Sequence, residues 1–166
     1  MEDLVTDAFW NGKRVFLTGH TGFKGSWLAL WLTQMGARVT GFSLPADEIS
    51  LFRQAGVEEL VEHVEGDIRD AAQLEQALVA ARPDVVFHLA AQPLVRLSYE
   101  CPAETFATNV QGTVHLLDAC RRVPGLKAVV CVTSDKCYEN REQPQSYREG
   151  DPMGGHDPYS ASKGCT

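Results

Sequence analysis

The apolar residues of this chain cluster in five short runs, separated by longer segments in which apolar residues recur at helical spacing. The runs predict β-strands at residues 14–18, 38–42, 60–65, 84–89 and 128–133. The fourth run is almost continuously apolar, as in strands buried on both faces of a parallel sheet. Because parallel neighbours need helical crossovers, the alternation of strand and helix predicts an α/β fold with a doubly wound parallel sheet.

Three of the intervening segments predict long helices. The first follows the glycines at 19–25, ends at Gly36 and is expected to bury one side, formed by Trp27, Leu28, Trp31 and Met35. The second runs from an N-cap at Asp70 to Ala81. The third, residues 102–122, places at helical spacing Phe106, Val110, Val114, Leu117 and Cys120. Asn109 on this helix is either a buried anchor for a neighbouring strand or a catalytic group.

Composition limits the classes of function. The 166 residues, 44% hydrophobic and 22% charged, are typical of one globular domain, which we place at 14–166 after a polar lead-in at 1–13. The net charge of −7 disfavours binding to nucleic acid or to an anionic membrane, because both partners are negatively charged. Neither a leader nor a membrane-spanning run is visible, so we expect a cytoplasmic protein.

The five cysteines show neither a C-x-x-C pair nor a Cys/His spacing typical of metal sites. We therefore expect reduced thiols and no metal. Cys131 lies in the fifth predicted strand and is interpreted as a small core residue. Cys137 lies beside the candidate site, where a role as a nucleophile is an alternative.

Three glycines spaced three residues apart, Gly19, Gly22 and Gly25, lie between the first predicted strand and the first helix. A strand, a glycine turn and a helix direct free backbone N–H groups and the positive end of a helix dipole at one point, which attracts phosphate. The glycines suit a tight turn, a close approach of pyrophosphate and close packing of helix on strand. The pattern favours a dinucleotide site over a plain turn.

Ligands of doubly wound sheets bind at the carboxyl ends of the strands. The cofactor-binding residues that we predict are Gly19, His20, Gly22, Phe23, Lys24, Gly25, Ser43, Asp67, Ile68, Leu89, Ala90, Ala91, Gln92, Thr108, Tyr159 and Lys163. The second strand ends in Phe42-Ser43 instead of the acid that binds a ribose 2′-hydroxyl, and Arg53 could meet a 2′-phosphate. NAD is preferred over NADP, but this position leaves the choice open.

A polar stretch at residues 138–157 interrupts the alternation, as functional or disordered loops do. Tyr159 and Lys163 follow on a helix that Pro158 begins. Four residues apart, they share one face, and an ammonium near a phenol favours the phenolate. With a hydroxyl at Thr133 or Ser134 they would form a Ser/Thr–Tyr–Lys set, although Y-x-x-x-K alone is equally consistent with an exposed helix face.

Four motifs occur in the order found in one enzyme family: residues 18–25 (TGHTGFKG), 88–93 (HLAAQP), 109–113 (NVQGT) and Tyr159-x-x-x-Lys163. After its first dozen residues the chain resembles the N-terminal half of an extended short-chain dehydrogenase/reductase. Within that family, residues 133–140 and 154–159 are most similar to the nucleotide-sugar 4,6-dehydratases.

The resemblance implies a Rossmann-type NAD-binding domain, NAD as cofactor and CDP-glucose as substrate, in bacterial surface-sugar (O-antigen) synthesis. It further implies a homodimer or higher homo-oligomer formed through the helices that flank the sheet, including the helix from Pro102. The family's C-terminal substrate domain is absent from this chain, so the resemblance implies a fragment that is inactive by itself.

The resemblance also implies catalytic roles in a redox-neutral elimination. Tyr159 would take the C4 hydroxyl proton while NAD⁺ takes the C4 hydride, Lys163 would hold the ribose and lower the pKa of the tyrosine, and Ser134 would bind the C4 oxygen. Asp135 would protonate the leaving C6 hydroxyl. Where related dehydratases have Glu, this chain has Lys136, which is either the C5 base, acting as a neutral amine, or an electrostatic stabiliser of the enolate.

Two alternative functions stay open. An epimerase or reductase of the same family would need Tyr159 and the hydride step but not the pair Asp135-Lys136. A noncatalytic dinucleotide-binding module would need only the glycine loop and the strand ends.

Overall fold

The computed structural model describes residues 7–142 and 144–166. The strands are β1 (Arg14–Thr18), β2 (Arg38–Ser43), β3 (Glu62–Glu65), β4 (Val85–His88) and β5 (Ala128–Cys131). The helices are α1 (Asp7–Trp10), α2 (Phe23–Gln34), α3 (Leu51–Gln54), α4 (Ala71–Ala81), α5 (Val95–Glu100), α6 (Pro102–Phe106), α7 (Gly112–Cys120) and α8 (Pro158–Gly164). All five predicted strands are present, and only their ends differ from the predicted bounds.

The five strands form one parallel sheet in the order β3-β2-β1-β4-β5. The chain thus proceeds outward in one direction from β1 to β3 and then returns to the other side of β1 for β4 and β5. Thr18 at the end of β1 is in register with Phe42 of β2 and His88 of β4. The doubly wound sheet is confirmed, and its switch point lies between β1 and β4, where such sheets bind ligands.

Each face of the sheet is covered by helices. Alternate side chains of β1 point to opposite faces: Val15 and Leu17 pack with α2 and α3, whereas Phe16 packs with α4 and α7. Trp10 of α1, within the predicted lead-in, packs on the first of these cores and against Phe87. The rest of the lead-in, residues 1–6, lies outside the described residues.

The predicted buried face of the first helix is wrong. Trp27 and Trp31 of α2 are 56% and 57% exposed, whereas the helix buries Gly25, Ser26 and Ala29 together with Leu32. Small residues on the inner side let the helix axis approach the sheet closely, so the bulky aromatic side chains point outward. Only Met35 and, in part, Leu28 are buried as expected.

The long helix from Pro102 is continuous, but residues 107–111 form a π-helical turn between α6 and α7. Its apolar spacing does not mark the buried side, since Phe106, Val114 and Leu117 are exposed. The buried stripe is one position away and consists mainly of small and polar residues: Thr105, Asn109, Gly112, Thr113, Leu116, Ala119 and Cys120. Hydrogen bonds to the neighbouring loop, described below, make this stripe the inner one.

Strand β5 forms an edge of the sheet within the described ranges, and its side chains are only partly covered. Cys131 is half-buried, so its interpretation as a core residue holds only in part. Burial nevertheless raises the pKa of the Cys131 thiol, while the positive charge of Lys163 opposes that rise. The sequence did not predict the short helices α3 and α5.

Candidate functional site

The glycine loop brings β1, the loop after β4 and the start of α2 into contact. Gly19 has a φ of +76°, and a Cβ there would lie 2.7 Å from the main-chain nitrogen of Ala90. A Cβ on Gly25 would overlap the carbonyl oxygen of Gly19. Gly22 is the N-cap of α2, which leaves the first N–H groups of the helix, including those of Phe23 and Lys24, without helical partners. This cradle of glycine main chain fits a pyrophosphate.

The His20 side chain faces inward and is completely buried. Its ring lies against the space left by the missing side chain of Gly41, and its Nε2 is 2.6 Å from Nδ1 of His63. Burial, and then the charge of His63, lowers the pKa of His20 to about 4, so the ring is neutral at pH 7. We predicted that His20 contacts the cofactor. Because its side chain faces inward, only the main chain of His20 can reach a ligand.

A hydrogen-bond chain through His88 fixes the carboxyl ends of β1 and β4. The Thr113 hydroxyl donates to the Asn109 carbonyl at 2.6 Å, so its oxygen accepts a hydrogen bond from His88 Nε2–H at 3.0 Å. His88 Nδ1 therefore accepts from the Thr18 hydroxyl at 2.7 Å. The same hydroxyl oxygen accepts from the N–H groups of Leu89 and Ala90, each at 3.2 Å. These buried hydrogen bonds fix the loop after β4, which faces Gly19.

Asn109 connects this loop to helix α8. Its side-chain oxygen accepts from the Gln92 N–H at 2.8 Å, and its amide donates to the Gln92 carbonyl at 3.2 Å and to the Ser162 hydroxyl at 2.9 Å. Asn109 was interpreted as either a buried anchor or a catalytic group, and this geometry is that of an anchor. The amide of Gln92 bonds in turn to Leu94 and Thr105, and Ala91 and Thr108 nearby are half-buried.

Two hydroxyls lie at the end of β2, where dinucleotide folds bind the adenosine ribose. The oxygen atoms of Thr21 and Ser43 are 2.7 Å apart, and Thr21 donates to the Leu44 carbonyl at 3.0 Å. Thr21 is therefore the acceptor from Ser43. Arg53 donates to the carbonyls of Asp47 and Ala46, which places its guanidinium against the loop that follows β2.

Asp67 and Ile68 follow β3 at the same edge of the sheet. The Asp67 carboxylate receives hydrogen bonds from the side chain and main chain of Arg69, and these bonds hold its pKa below the usual value. The Ile68 side chain packs into the core against Gly112, so it presents only main chain to the ligand edge.

Tyr159 and Lys163 lie on α8 and are both buried. Asp157 caps the helix by accepting from the Ser160 N–H, and the Tyr159 N–H donates to the hydroxyl of Ser98 on α5 at 3.1 Å. Burial lowers the pKa of Lys163, while its interaction with the thiol of Cys131 raises it. The positive charge of Lys163 also contributes, after burial, to lowering the pKa of His88 at the end of β4.

Asp135 and Lys136 lie just after β5, on a short 3₁₀ turn that Ser134 caps. The Ser134 hydroxyl donates to the Asp135 carboxylate at 3.0 Å, and Lys136 Nζ is 4.0 Å from the other carboxylate oxygen. Both charged side chains line a cavity of about 290 Å³. The other lining residues come from α5, the polar stretch and α8: Val95, Tyr138, Asn140, Tyr147, Gly155, His156, Asp157 and Ser160.

The described part of the polar stretch at 138–157 is ordered by its own contacts. The rings of Tyr138 and Tyr147 stack with centroids 4.8 Å apart, and Tyr138 pairs with Met153 in an isolated antiparallel bridge. A Cβ on Gly155 would collide with Ser160, so this glycine allows the stretch to approach α8. The stretch thus forms one wall of the cavity beside Asp135.

Sequence reasoning missed the polar residues that position the site from behind. Ser98 and Ser162 are fully buried; Ser98 accepts from the Tyr159 N–H at the start of α8, and Ser162, on α8, accepts from the Asn109 amide and donates to the Tyr159 carbonyl. Thr113 is likewise buried in the His88 chain. A signal was available, because polar residues repeat at helical spacing along 105–113, but their partners are distant in sequence.

Comparison with known proteins assigns the chain to a family. A family model described as GDP-mannose 4,6 dehydratase matches residues 16–166. The chain belongs to this family. It is 59% identical to the CDP-glucose 4,6-dehydratase of Salmonella typhimurium over 98% of its own length, and spans 45% of that enzyme.

Solved structures of related enzymes share the fold. UDP-glucose 4-epimerase from Brucella ovis, in complex with NAD, is 30% identical with a TM-score of 0.77, over 92% of this chain and 44% of that one. MoeE5 in complex with UDP-glucose and NAD is 29% identical with a TM-score of 0.74, over 91% and 46%. The chain thus spans less than half the length of these members.

The described residues contain neither a membrane-spanning helix nor a metal-binding cluster. No helix there is both long enough and apolar enough to cross a membrane. In the same ranges, no three His, Cys, Asp or Glu side chains are grouped so as to hold a metal ion.

Proposed function

We propose that this chain is the cofactor-binding part of an NAD-dependent dehydratase that converts CDP-glucose into CDP-4-keto-6-deoxyglucose. The observation that carries the proposal is the pair Asp135 and Lys136, an acid and an amine in one cavity beside the helix of Tyr159 and Lys163. An epimerase needs no such pair, because it eliminates no water. The high identity to the Salmonella enzyme supports the same substrate.

The residues present fit NAD. A Cβ on Gly19 would overlap the main chain of Ala90, and one on Gly25 would overlap the main chain of Gly19, so this tight turn presents bare main chain to a pyrophosphate. Ser43 and Thr21 offer hydroxyls to a ribose at the end of β2. When bound, NAD⁺ supplies the acceptor for the C4 hydride and returns that hydride to C6.

The side chains on α8 and after β5 divide the proton transfers between them. Tyr159 takes the proton of the C4 hydroxyl, assisted by the positive charge of Lys163 on the same helix face, and Lys163 holds the nicotinamide ribose. Ser134 exchanges its hydrogen bond with Asp135 for one to the C4 oxygen. Once C4 is a ketone, the C5 proton becomes acidic, and Asp135 protonates the leaving C6 hydroxyl.

Lys136 has two possible roles in the same step. As a base it would remove the C5 proton and must be neutral; as a cation it would stabilise the enolate that forms. Lys136 Nζ lies 4.0 Å from the Asp135 carboxylate, and the second role would require a group other than Lys136 to take the C5 proton. Retention of C5 hydrogen exchange with solvent in Lys136→Ala at near wild-type rate would exclude the first.

The decisive experiment is proton NMR of CDP-glucose with the full-length protein and substoichiometric NAD⁺. A new C6 methyl signal without added reductant is the expected result, since the hydride is returned internally. Asp135→Asn should slow methyl formation about 10²–10⁴-fold while C4 oxidation persists. Glu149→Gln, an exposed acid-to-amide change in the polar stretch, is the matched control and should not alter the rate.

Absence of the C6 methyl signal with the full-length protein would contradict the proposal. Epimerised CDP-sugar in that case would support the epimerase reading instead. The 166-residue chain by itself is expected to bind NAD⁺ without forming product, and product from it would contradict our view that the remainder of the enzyme is required. We place the reaction in the cytoplasm, in the synthesis of bacterial surface sugars.

A further inference from the structure

Two histidines connect the glycine loop to strand β3, and no step of the proposed reaction uses them. His20 belongs to the loop and His63 to β3, and we call them the histidine pair. Nε2 of His20 is 2.6 Å from Nδ1 of His63, and the centroids of the two rings are 4.9 Å apart. A Cβ on Gly41 would collide with the His20 ring, so a glycine inside β2 makes room for this ring.

The main chain fixes the direction of the His20 side chain. The Gly19 N–H donates to the Phe42 carbonyl at 2.9 Å, and the Ser26 hydroxyl donates to the His20 carbonyl at 2.9 Å. These two bonds anchor the loop to β2 on one side and to α2 on the other. The imidazole therefore stays inward as long as the loop keeps the form that fits a pyrophosphate.

The surroundings of His20 favour the neutral ring. Its Nδ1 is buried and has no hydrogen-bond partner among the described residues. Burial, and then the charge of His63, lowers the pKa of His20 to about 4, and these two effects exceed the opposite effect of the Phe42 carbonyl. A protonated His20 carries an N–H at both nitrogens, and His63 can accept only one of them. A buried charge with an unpaired donor is strongly destabilising.

The acidic side chains of β3 act on His63 and not on His20. Glu65 lies beyond His63, with its carboxylate 3.7 Å from His63 Nε2. This carboxylate favours an N–H at Nε2 of His63, which leaves Nδ1 to accept from His20. The Glu62 carboxylate accepts from the hydroxyl of Thr40 on β2 at 2.9 Å.

The helices beside His20 bring no negative charge to its ring. Phe52 of α3 packs edge-on against the imidazole, with centroids 5.3 Å apart. Arg53 of the same helix donates to carbonyls in the loop after β2, and Lys24 of α2 is exposed. The charge that reaches His20 is therefore that of His63, which opposes a second proton on the pair.

We propose that His63 is a positioning residue for NAD, which holds the glycine loop through His20, and that proton uptake by the histidine pair displaces the loop and releases NAD. The proton comes from water to a ring nitrogen of His20 and returns to water when NAD binds. The inference rests on the proposed binding of NAD at the glycine loop. Because NAD and the proton exclude each other, NAD binding should release a proton in acid and should be weaker there.

Calorimetric titration of the full-length protein with NAD⁺, in buffers of different ionisation enthalpy, counts the protons released. At about pH 5 we expect roughly 0.5–0.9 proton per NAD⁺, and at about pH 7.5 roughly 0.1 or less, because the pKa of a free histidine is 6.5. The Kd should be about 10-fold higher at the lower pH. His20→Gln should remove most of both effects. Glu59→Gln, an exposed acid in the turn after α3, is the control and should retain them.

Variants of His63 test the positioning role at about pH 7.5. His63→Phe leaves Nε2 of His20 without a partner and should raise the Kd for NAD⁺ about 10-fold. His63→Asn places an amide oxygen where Nδ1 was and should recover most of the affinity. A role of ring shape alone would give the opposite order, since phenylalanine keeps the shape of the ring better than asparagine does.

Binding of NAD⁺ without proton release at about pH 5 would overturn the inference and leave the proposed function standing, whereas failure of NAD⁺ to bind at any pH would refute both. Proton uptake on binding would overturn the inference too, because it would show a charged His20 turned outward to the phosphates. If His20→Gln fails to fold, the ring-nitrogen NMR signals of the unmodified protein decide at the same pH. His20 must be charged in the free protein and neutral in the NAD complex, and one state in both contradicts the inference.

Discussion

Single side chains at the carboxyl edge of the sheet do more to shape the site than to contact a ligand. His88 has both ring nitrogens bonded, to Thr18 and to Thr113, and it thereby fixes the N–H groups of Leu89 and Ala90. Gly19 and Gly25 act by having no side chain, since a Cβ on Gly19 would overlap the main chain of Ala90 and one on Gly25 the main chain of Gly19. The carboxyl edge of the sheet therefore depends on a buried histidine and on glycines that carry no side chain.

The buried His88 makes the stability of the fold sensitive to acid. Burial, with a contribution from Lys163, lowers its pKa to about 4, against 6.5 for the free side chain. Between these values the unfolded chain binds a proton that the folded chain does not, so folding stability is fully present above the higher value and falls toward the lower. From about pH 7 to about pH 5 this residue alone should cost roughly 2 kcal/mol.

Urea unfolding at the two pH values checks this prediction. His88→Gln should be less stable than the unmodified protein at both pH values. Between about pH 7 and about pH 5, however, its unfolding free energy should fall by roughly 2 kcal/mol less than that of the unmodified protein. His156→Gln, which changes an exposed histidine, should retain the wild-type difference. Equal pH dependence in His88→Gln and the unmodified protein would show that His88 is not the titrating group.

At the scale of elements, the loop after β4 is the junction of the site. Asn109, in the π-helical turn between α6 and α7, bonds to both main-chain groups of Gln92 and to Ser162 of α8. Ser98 of α5 holds the start of α8 from another side. The helix with Tyr159 and Lys163 is only seven residues long, so these contacts from other elements must supply its stability.

Asn109→Asp should break this junction with almost no change in shape. The amide donor would become an oxygen facing the carbonyl of Gln92 and the hydroxyl of Ser162, and a charge would be buried. We expect a loss of about 3 kcal/mol in unfolding free energy near neutral pH, partly recovered when the carboxyl is protonated.

The same measurement on Gln111→Glu provides the control. Gln111 is an exposed amide in the same turn, so its change should fall within about 0.5 kcal/mol. A similar loss in both variants would mean that the added charge, and not the buried bonds of Asn109, is responsible.

At the scale of the whole molecule, stability should be distributed unevenly between the centre of the sheet and its site-bearing edge. Strands β1 and β4 lie inside the sheet, and Phe16, Leu17 and Val86 are completely buried. Strand β5 lies at the edge of the sheet that the described residues form; Val130 in the strand and Val132 just after it are exposed, and the segment from residue 138 to α8 follows. Opening of this last part exposes little apolar surface and therefore costs little.

Native-state hydrogen exchange of the 166-residue chain tests that distribution. The slowest amides should belong to β1 and β4, and those of α8 should exchange at least 10²-fold faster, a difference of about 3 kcal/mol. Added NAD⁺ should slow exchange in α8 if Tyr159 and Lys163 contact the cofactor. Equal protection of α8 and β1 would contradict the uneven distribution.

The sequence by itself determined the five strands, the glycine loop and the helix that Asp70 caps, because these depend on local periodicity and local backbone chemistry. It also predicted Ser134, Asp135, Lys136, Tyr159 and Lys163 as one catalytic set, whose chemistry stays a prediction. Only the tertiary structure decided that Trp27 and Trp31 point outward and that His20 points inward. It also decided that the polar stripe through Asn109 is the buried side of its helix. Periodicity shows that a helix has two sides, but which side is buried depends on how closely the helix approaches the sheet and on hydrogen-bond partners far away in the chain.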